Sequence, residues 1–194
     1  SIHSNNGDGI GNTIVNLTLN NVTISNNQGN GIDAISGSVN INNSTISENS
    51  TFTGGGINNS LGTVLLTNSI ISGNTGTSDG PDCYGTLTSL GNNIIGTTSG
   101  CNITAASGDQ FNVDPQLGTF LPEQGYHPLT LGSPAIDAGN SSTCLATDQR
   151  GLARVGTCDI GAYEYTTPGA AANLWVISGD GLRATPNLAF TKPL

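Results

Sequence analysis

Few side chains in this sequence are of the types that acid–base or metal chemistry requires. Four Lys or Arg residues stand against thirteen Asp or Glu, and all four cations lie at or beyond Arg150. A lyase that acts on acidic polysaccharides needs a strong base beside the sugar, and no Lys or Arg precedes Arg150. His3 and His127 lie outside any Ser–His–Asp motif, and the four cysteines form no C-x-x-C pair for zinc. We therefore predict no catalytic residue, no metal site and no cofactor.

The four cysteines have spacings that suit disulfide bonds. Pairing in sequence order, Cys83 with Cys101 and Cys144 with Cys158, would close two short loops. This is the most economical connectivity, and each bond would contribute about 3 kcal/mol. Disulfides persist in oxidising compartments, so we expect an extracellular or cell-surface location.

The composition excludes several classes of partner. The formal net charge is −9, and charged residues make up only 9% of the chain. Nucleic acids and anionic membranes both require clustered Lys and Arg, so we expect neither as a partner. No apolar run approaches the length of a membrane-spanning helix, about 18 residues, so this segment should not insert into a membrane.

An internal repeat dominates the first half of the sequence. Three segments superpose without gaps: LTLNNVTISNN (17–27), VNINNSTISEN (39–49) and VLLTNSIISGN (64–74). The glycine turns between them keep the same steps, and a weaker fourth copy, SLGNNIIG, covers 89–96. Two independent features in one register indicate a true repeat, with a period of about 22–25 residues.

Each copy alternates apolar and polar residues with period two, which is typical of a strand with one buried face. Residues such as Leu19 would point inward, whereas the column Thr23, Thr45 and Ile70 would point outward. A repeat of this length, with short strands, Gly and Asn corners and no helical segment, predicts a right-handed parallel β-helix. The predicted fold class is therefore all-β, a β-solenoid whose coils stack about 4.8 Å apart.

An asparagine marks the corner of every copy: Asn21, Asn43, Asn68 and Asn93. Asn tolerates the left-handed backbone conformation that such corners need, and stacked amides can hydrogen-bond from coil to coil. We therefore predict an asparagine ladder at these four positions. A strip of amides and hydroxyls that binds sugar is the alternative, and it would make surface glycans a partner.

A glycoside hydrolase would need two carboxylates across its substrate. Asp8 and Asp33 lie in neighbouring coils, but the step between them is longer than the step between their turns, GDGI (7–10) and GNGI (29–32). They would therefore occupy different corner positions, which disfavours a hydrolase.

From Pro81 onward the repeat weakens and a series of other motifs follows. These are PDCYGTLTSLGNNIIG (81–96), VDPQLG (113–118), HPLTLGSPAIDAGN (127–140), TDQRGLAR (147–154) and CDIGAYEY (158–165). Together they resemble the C-terminal part of bacterial choice-of-anchor Q proteins, right-handed parallel β-helix repeat proteins akin to polymorphic outer-membrane proteins. The resemblance implies a secreted or surface-exposed β-solenoid within a large adhesin-like protein. Because the sequence begins in mid-coil at Ser1, we expect a fragment or a processed product.

The motifs divide the chain into four parts. Residues 1–100 would form the coils, 101–165 a loop-rich, disulfide-bonded cap that continues the solenoid, 166–172 a linker and 173–194 a strand-forming tail. A detachable strand would add to the exposed edge of a neighbouring copy, so we expect a homo-oligomer or a filament.

The predicted cap concentrates the charged residues. Five of them lie close together near its end: Asp148, Arg150, Arg154, Asp159 and Glu164. We expect an Arg to pair with one of these carboxylates and to pin the cap over the last coil. Calcium bound by these acidic residues and Asp137 is the alternative, although no EF-hand spacing is present.

These features favour a non-enzymatic extracellular β-solenoid module of a bacterial surface protein, with a structural or adhesive role and self-association through its tail. The alternative is a carbohydrate-active domain, either a glycan-binding module or a glycoside hydrolase.

Overall fold

The computed structural model describes residues 1–13 and 15–166, and this part of the chain forms a β-solenoid of about four turns with no helix. The predicted linker (166–172), apart from Thr166, and the predicted tail (173–194) lie outside the described residues.

Short strands separated by turns make up each coil. The strands are β1 (Ile2–His3), β2 (Ile10–Asn12), β3 (Asn16–Asn20), β4 (Thr23–Ser25), β5 (Ile32–Ala34), β6 (Ser38–Asn42), β7 (Thr45–Ser47), β8 (Ser50–Thr53), β9 (Ile57–Asn59), β10 (Thr63–Thr67), β11 (Ile70–Ile71), β12 (Thr75–Asp79), β13 (Cys83–Thr86), β14 (Thr88–Ser89), β15 (Ile94–Ile95), β16 (Cys101–Asn102) and β17 (Gln110–Phe111).

The strands stack into three long sheets and one short one. Sheet A has the order β1-β4-β7-β11-β15-β17, sheet B the order β16-β13-β9-β5-β2 and sheet C the order β14-β10-β6-β3, while β12 pairs with β8. The named strands pair in parallel, so the strands of each coil, or solenoid turn, lie beside those of the coil before it. The predicted all-β parallel solenoid is confirmed. Its right-handed sense stays a prediction, in line with the general handedness of parallel crossovers.

The inward columns of the repeat form the core. In sheet C, Leu19 lies beside Ile41 and Ile41 lies beside Leu66. In sheet A, Ile24 lies beside Ile46. All five side chains are buried in one cluster, so the inner faces of the sheets share a single hydrophobic core.

Residues 113–165, here called the C-terminal segment, leave the solenoid after β17 and fold back along the outer face of sheet A. Leu129 and Ile160 of this segment belong to a second apolar cluster with Ile70 and Ile94 of sheet A. At the far end, the rings of Phe120 and His3 lie 5.1 Å apart between centroids. The segment therefore runs from the last strands back to the first turn.

This path corrects the prediction of a cap over the last coil. Within the range predicted as the cap (101–165), only the part that contains β16 and β17 (101–111) continues the solenoid. The C-terminal segment instead covers the side of the coils. The outward column Thr23, Thr45 and Ile70 is consequently buried, because this segment lies on it. Alternation along the strands predicts which way a side chain points, but it does not show what covers it.

A ladder of buried amides runs along the corner that follows sheet A. The Nδ2 of Asn27 donates to the Oδ1 of Asn49 at 2.7 Å, and the Nδ2 of Asn49 donates to the Oδ1 of Asn74 at 2.9 Å. Asn5 extends the ladder at one end, and the carboxylate of Asp82 accepts from Asn74 at 3.0 Å at the other. The amides of Asn27, Asn49 and Asn74 also bond to backbone groups, so the ladder satisfies the buried main chain at the corner.

The ladder lies in a different column from the predicted one. Asn21, Asn43 and Asn68 do have left-handed φ angles, of 52°, 43° and 48°. Their side chains, however, bond to the C-terminal segment instead of to one another. In the fourth copy the left-handed corner is Asn92 (φ 55°), and Asn93 accepts a backbone N–H from the turn before.

We expect Asn49→Ala to lower the free energy of unfolding by about 3 kcal/mol, because it leaves the N–H groups of Asn27 without an acceptor in the core. Urea denaturation measures the loss. Asn40→Ala, on the open outer face of β6, is the matched control and should change stability by less than about 0.5 kcal/mol. Equal effects at the two positions would contradict the role of the ladder.

Candidate functional site

Three corner asparagines fasten the C-terminal segment to the solenoid. The Nδ2 of Asn21 donates to the carbonyl of Thr147 at 2.7 Å, and the Oδ1 of Asn43 accepts the N–H of Leu145 at 3.1 Å. The Oδ1 of Asn68 likewise accepts a backbone N–H of the segment at 2.8 Å. The repeat thus supplies three equivalent amides, one per turn, as a row of attachment points.

Arg154 and Glu164 form an ion pair inside the C-terminal segment, one of the pairings expected from the sequence. The Nη1 of Arg154 lies 3.0 Å from the Oε2 of Glu164, and the two side chains are only 4% and 2% exposed. The Nη2 of Arg154 donates to the Oδ1 of Asn21 at 3.1 Å and to the carbonyl of Gly161 at 2.8 Å. The guanidinium therefore connects the segment to the first turn, not to the last coil.

Arg150 forms a second ion pair. Its Nη2 lies 2.7 Å from the Oδ2 of Asp148, whose side chain is fully buried. The guanidinium also lies over the ring of Tyr163, 3.9 Å from the centroid. Burial lowers the pKa of Arg150, but the hydrogen bond and charge of Asp148 outweigh burial and raise it. Arg150 therefore stays charged and holds Asp148 and Tyr163 together.

Asp159 is held by backbone groups. Its Oδ1 accepts the N–H of Asp137 at 2.8 Å, and its Oδ2 accepts the N–H of Tyr165. Burial raises the pKa of Asp159 to about 6; the two backbone hydrogen bonds oppose this, and the charges of Glu164 and Asp137 add to it. Asp159 is thus the one of the three candidate carboxylates that bonds to backbone N–H groups and not to an Arg side chain, and its raised pKa places its titration in mildly acidic solution.

The calcium alternative requires carboxylate oxygens that are free to bind a cation. Those of Asp148, Asp159 and Glu164 already accept N–H groups of the segment itself. Among the residues that the structure describes, no group of three or more His, Cys, Asp or Glu is placed to hold a metal ion. The acidic cluster is therefore best explained as the internal bonding of the segment.

The four cysteines form two disulfides, paired in sequence order. Cys83 of β13 is bonded to Cys101 of β16, with 5.4 Å between the Cα atoms. Cys144 is bonded to Cys158 within the C-terminal segment, beside the corner residue Asn43. Such bonds are typical of proteins outside the cytoplasm.

Ser25 and His127 form a contact that sequence reasoning missed. The Oγ of Ser25 lies 2.9 Å from the Nε2 of His127, whose Nδ1 lies 2.9 Å from the carbonyl of Gly118. A carbonyl only accepts, so Nδ1 carries a proton and donates it to Gly118. Ser25 is fully buried and His127 is 2% exposed, which leaves no room for a substrate. The pair is best explained as another fastening of the segment.

Asp8 and Asp33 occupy different positions, as their spacing predicts. Asp33 lies beside Gly11 and Asn58 in sheet B, whereas Asp8 accepts the N–H of Asn30 at 2.7 Å in the turn before β5. Burial raises the pKa of Asp33, and the negative charge of Asp8 raises it further. The two carboxylates therefore interact through space, but each is bonded to the amide of a different turn.

An open surface with a repeated chemistry is the outer face of sheet C. Its residues, here called the C face, are Asn16, Thr18, Asn20, Ser38, Asn40, Asn42, Thr63, Leu65 and Thr88. In-register pairing places Thr18 beside Asn40 and Asn40 beside Leu65. The face carries no ionisable side chain and, Leu65 apart, consists of amides and hydroxyls.

Two features border the C face. Exposed apolar side chains lie in the connections that enter β3, β6 and β10, namely Val15 (57% exposed), Ile35 (42%) and Leu61 (85%). At the β14 end lies a groove of about 440 Å³, lined mainly by Thr86, Thr88, Ser89, Asn102 and Thr104. The C face, its apolar rim and this groove together are the candidate functional site.

Comparisons with protein-family models, curated proteins and solved structures find no match to this chain. Within the described residues, no helix is long and apolar enough to span a membrane.

We expect Arg154→Met to lower the free energy of unfolding by about 3–5 kcal/mol, because Glu164 stays buried without its cation. The double variant Arg154→Met/Glu164→Gln should recover part of this loss, since no buried charge is then unpaired. Urea denaturation of both variants measures the difference. If the double variant were no more stable than the single one, the ion pair would not be what holds the segment.

The raised pKa of Asp159 predicts a pH dependence of stability. The carboxyl group has a pKa of about 6 in the folded protein and 3.8 ordinarily, so the folded state binds the proton more tightly. The contribution of this carboxyl group to stability is present below its ordinary pKa of 3.8 and is lost as the pH rises through about 6. Relative to Asp159→Asn, the wild-type free energy of unfolding should therefore fall between about pH 4 and about pH 7. As a control, the wild type is compared with the exposed substitution Glu123→Gln, and the difference between their free energies of unfolding should not change over this pH range. If both variants differed from the wild type in the same pH-dependent way, Asp159 would be ruled out as the source of the trend.

Proposed function

We propose that this chain is an extracellular structural and adhesive module of a bacterial surface protein. The observation that carries the proposal is the contrast between two outer faces of the solenoid. The C-terminal segment covers sheet A, whereas the C face is open and presents repeated amides and hydroxyls. A solenoid with one side covered by its own chain and a polar side left open suits display and contact better than it suits chemistry.

Two observations support a surface location. The two disulfides favour an oxidising compartment outside the cytoplasm. The five motifs between Pro81 and Tyr165 resemble those of choice-of-anchor Q proteins, which are secreted or surface-exposed. The resemblance favours an adhesin-like protein as the context of this module.

A non-enzymatic role is supported by where the ionisable groups lie. Arg154 and Glu164 are buried and bonded to each other, and Asp148 is buried against Arg150. His127 is buried against Ser25. These groups hold the C-terminal segment in place, and because they are buried, a substrate cannot reach them.

Association between copies is part of the proposal. An apolar groove of about 700 Å³ lies where the described chain ends, and Leu131, Ile136, Val155 and Tyr165 help to line it. Leu131 and Val155 are 80% and 65% exposed. Exposed apolar surface of this kind favours a protein contact, and the predicted tail (173–194) follows it in sequence.

Immunogold electron microscopy of intact cells tests both parts. Cells that produce the full chain should be labelled without permeabilisation and should carry filaments. Cells that produce a chain ending at Tyr165 should also be labelled without permeabilisation but should carry no filaments. Labelling only after permeabilisation would refute the surface location. Filaments that persist in the shortened chain would refute the tail as the connector.

A further inference from the structure

The C face offers fixed hydrogen-bonding groups in rows. The Oγ of Ser38 donates to the Oδ1 of Asn16 at 2.7 Å, and the Nδ2 of Asn42 donates to the Oδ1 of Asn20 at 2.9 Å. Both bonds join neighbouring strands and orient the amides before any ligand arrives. Because the side chains are already ordered, binding to them loses little conformational entropy.

The chemistry of these rows matches ring hydroxyls. An amide has two N–H donors and a carbonyl acceptor, and a hydroxyl both donates and accepts, so bonds from strand to strand leave further capacity toward solvent. Sugar hydroxyls need donors and acceptors side by side. Thr18, Asn40 and Thr88 supply them along one column of the face, in which Leu65 lies between Asn40 and Thr88.

The apolar rim gives the face a second kind of contact. Val15, Ile35 and Leu61 are exposed beside the polar rows, and Leu65 lies within them. A sugar ring has an apolar C–H surface as well as a hydroxyl edge, so a surface that combines amides with aliphatic groups suits it on both sides. A contact with a second protein copy usually has an apolar centre and a polar rim, whereas here the centre is polar and the apolar side chains lie at the edge.

Charge selects among polysaccharides. The C face has no cation that could neutralise a uronate or sulfate group, and the chain as a whole carries a net charge of −9. An acidic polysaccharide would therefore be repelled, whereas a neutral one would not.

We propose that the C face binds a neutral, hydroxyl-rich polysaccharide that lies along the solenoid axis, crosses β3, β6, β10 and β14 and ends in the groove lined by Thr86 and Asn102. This inference rests on the adhesive role proposed above and names its ligand class. Neighbouring strands lie about 4.8 Å apart and, except at Leu65, present amides or hydroxyls at matched positions, so a polymer of repeating units meets a repeating surface. The groove volume, about 440 Å³, lies within the range of sites for small ligands.

Affinity gel electrophoresis of the full chain tests the proposal, with soluble hydroxyethyl cellulose, xyloglucan and galactomannan as neutral probes and polygalacturonate as the acidic one. At least one neutral polysaccharide should retard the chain, and polygalacturonate should not. Asn40→Ala should weaken retardation by up to about tenfold, the effect of one lost hydrogen bond. Thr18→Lys, which places a long charged side chain in the middle of the face, should weaken it by at least about tenfold.

Thr157→Lys makes the same change at an exposed loop of the C-terminal segment and should bind as the unmodified chain does. Thermal melting of both variants checks that they are folded. No retardation by any neutral probe, equal retardation by polygalacturonate, or equal binding by Thr18→Lys would overturn the proposal.

These outcomes are separable from those of the proposed function. A chain that is displayed on cells but fails the electrophoresis keeps its surface role and loses this ligand. A chain that binds neutral polysaccharide but labels only permeabilised cells keeps the ligand and loses the surface role.

Discussion

Backbone hydrogen bonds between parallel turns place each residue directly above its equivalent, and the other features of the molecule depend on this constraint. A column of like charges about 4.8 Å apart would repel, so the repeated columns carry aliphatic, amide or hydroxyl side chains. Stacked amides also stabilise the column directly, because the N–H group of each amide can donate to the carbonyl oxygen of the next. The ladder through Asn27, Asn49 and Asn74 uses that property inside the corner, and the pair Asn42–Asn20 uses it on the open face.

Much of the solenoid could be predicted from the sequence because its information is local and periodic. Alternation identified the inward columns, such as Leu19 and Ile41, and loop length favoured the observed disulfide pairs. The ladder was misplaced because every aligned segment holds two asparagine columns. One is the left-handed corner at Asn21 and the other is the final residue, Asn27. Sequence alone does not say which amide turns toward the interior.

The path of the C-terminal segment could not be predicted for a different reason. Its decisive contacts join residues that are more than a hundred positions apart, such as Asn21 with Thr147 and Ser25 with His127. The segment has no repeat whose register could be matched to that of the coils. Its charged residues did indicate ion pairs within the segment. Which of them pair, however, depends on the groups that surround each one in the fold and not on their spacing in the sequence. Arg154 found Glu164, while Asp159 found backbone N–H groups.

Repeat proteins usually unfold from their ends, because each unit contacts only its neighbours. Here one segment is fastened to the first, second and third turns at once, through Asn21, Asn43 and Asn68. Release of the first turn therefore also breaks contacts with the segment that holds the others. A chain built as a one-dimensional stack thus acquires the cooperativity of a globular domain, and a pull along its axis is shared among the turns instead of peeling them one by one.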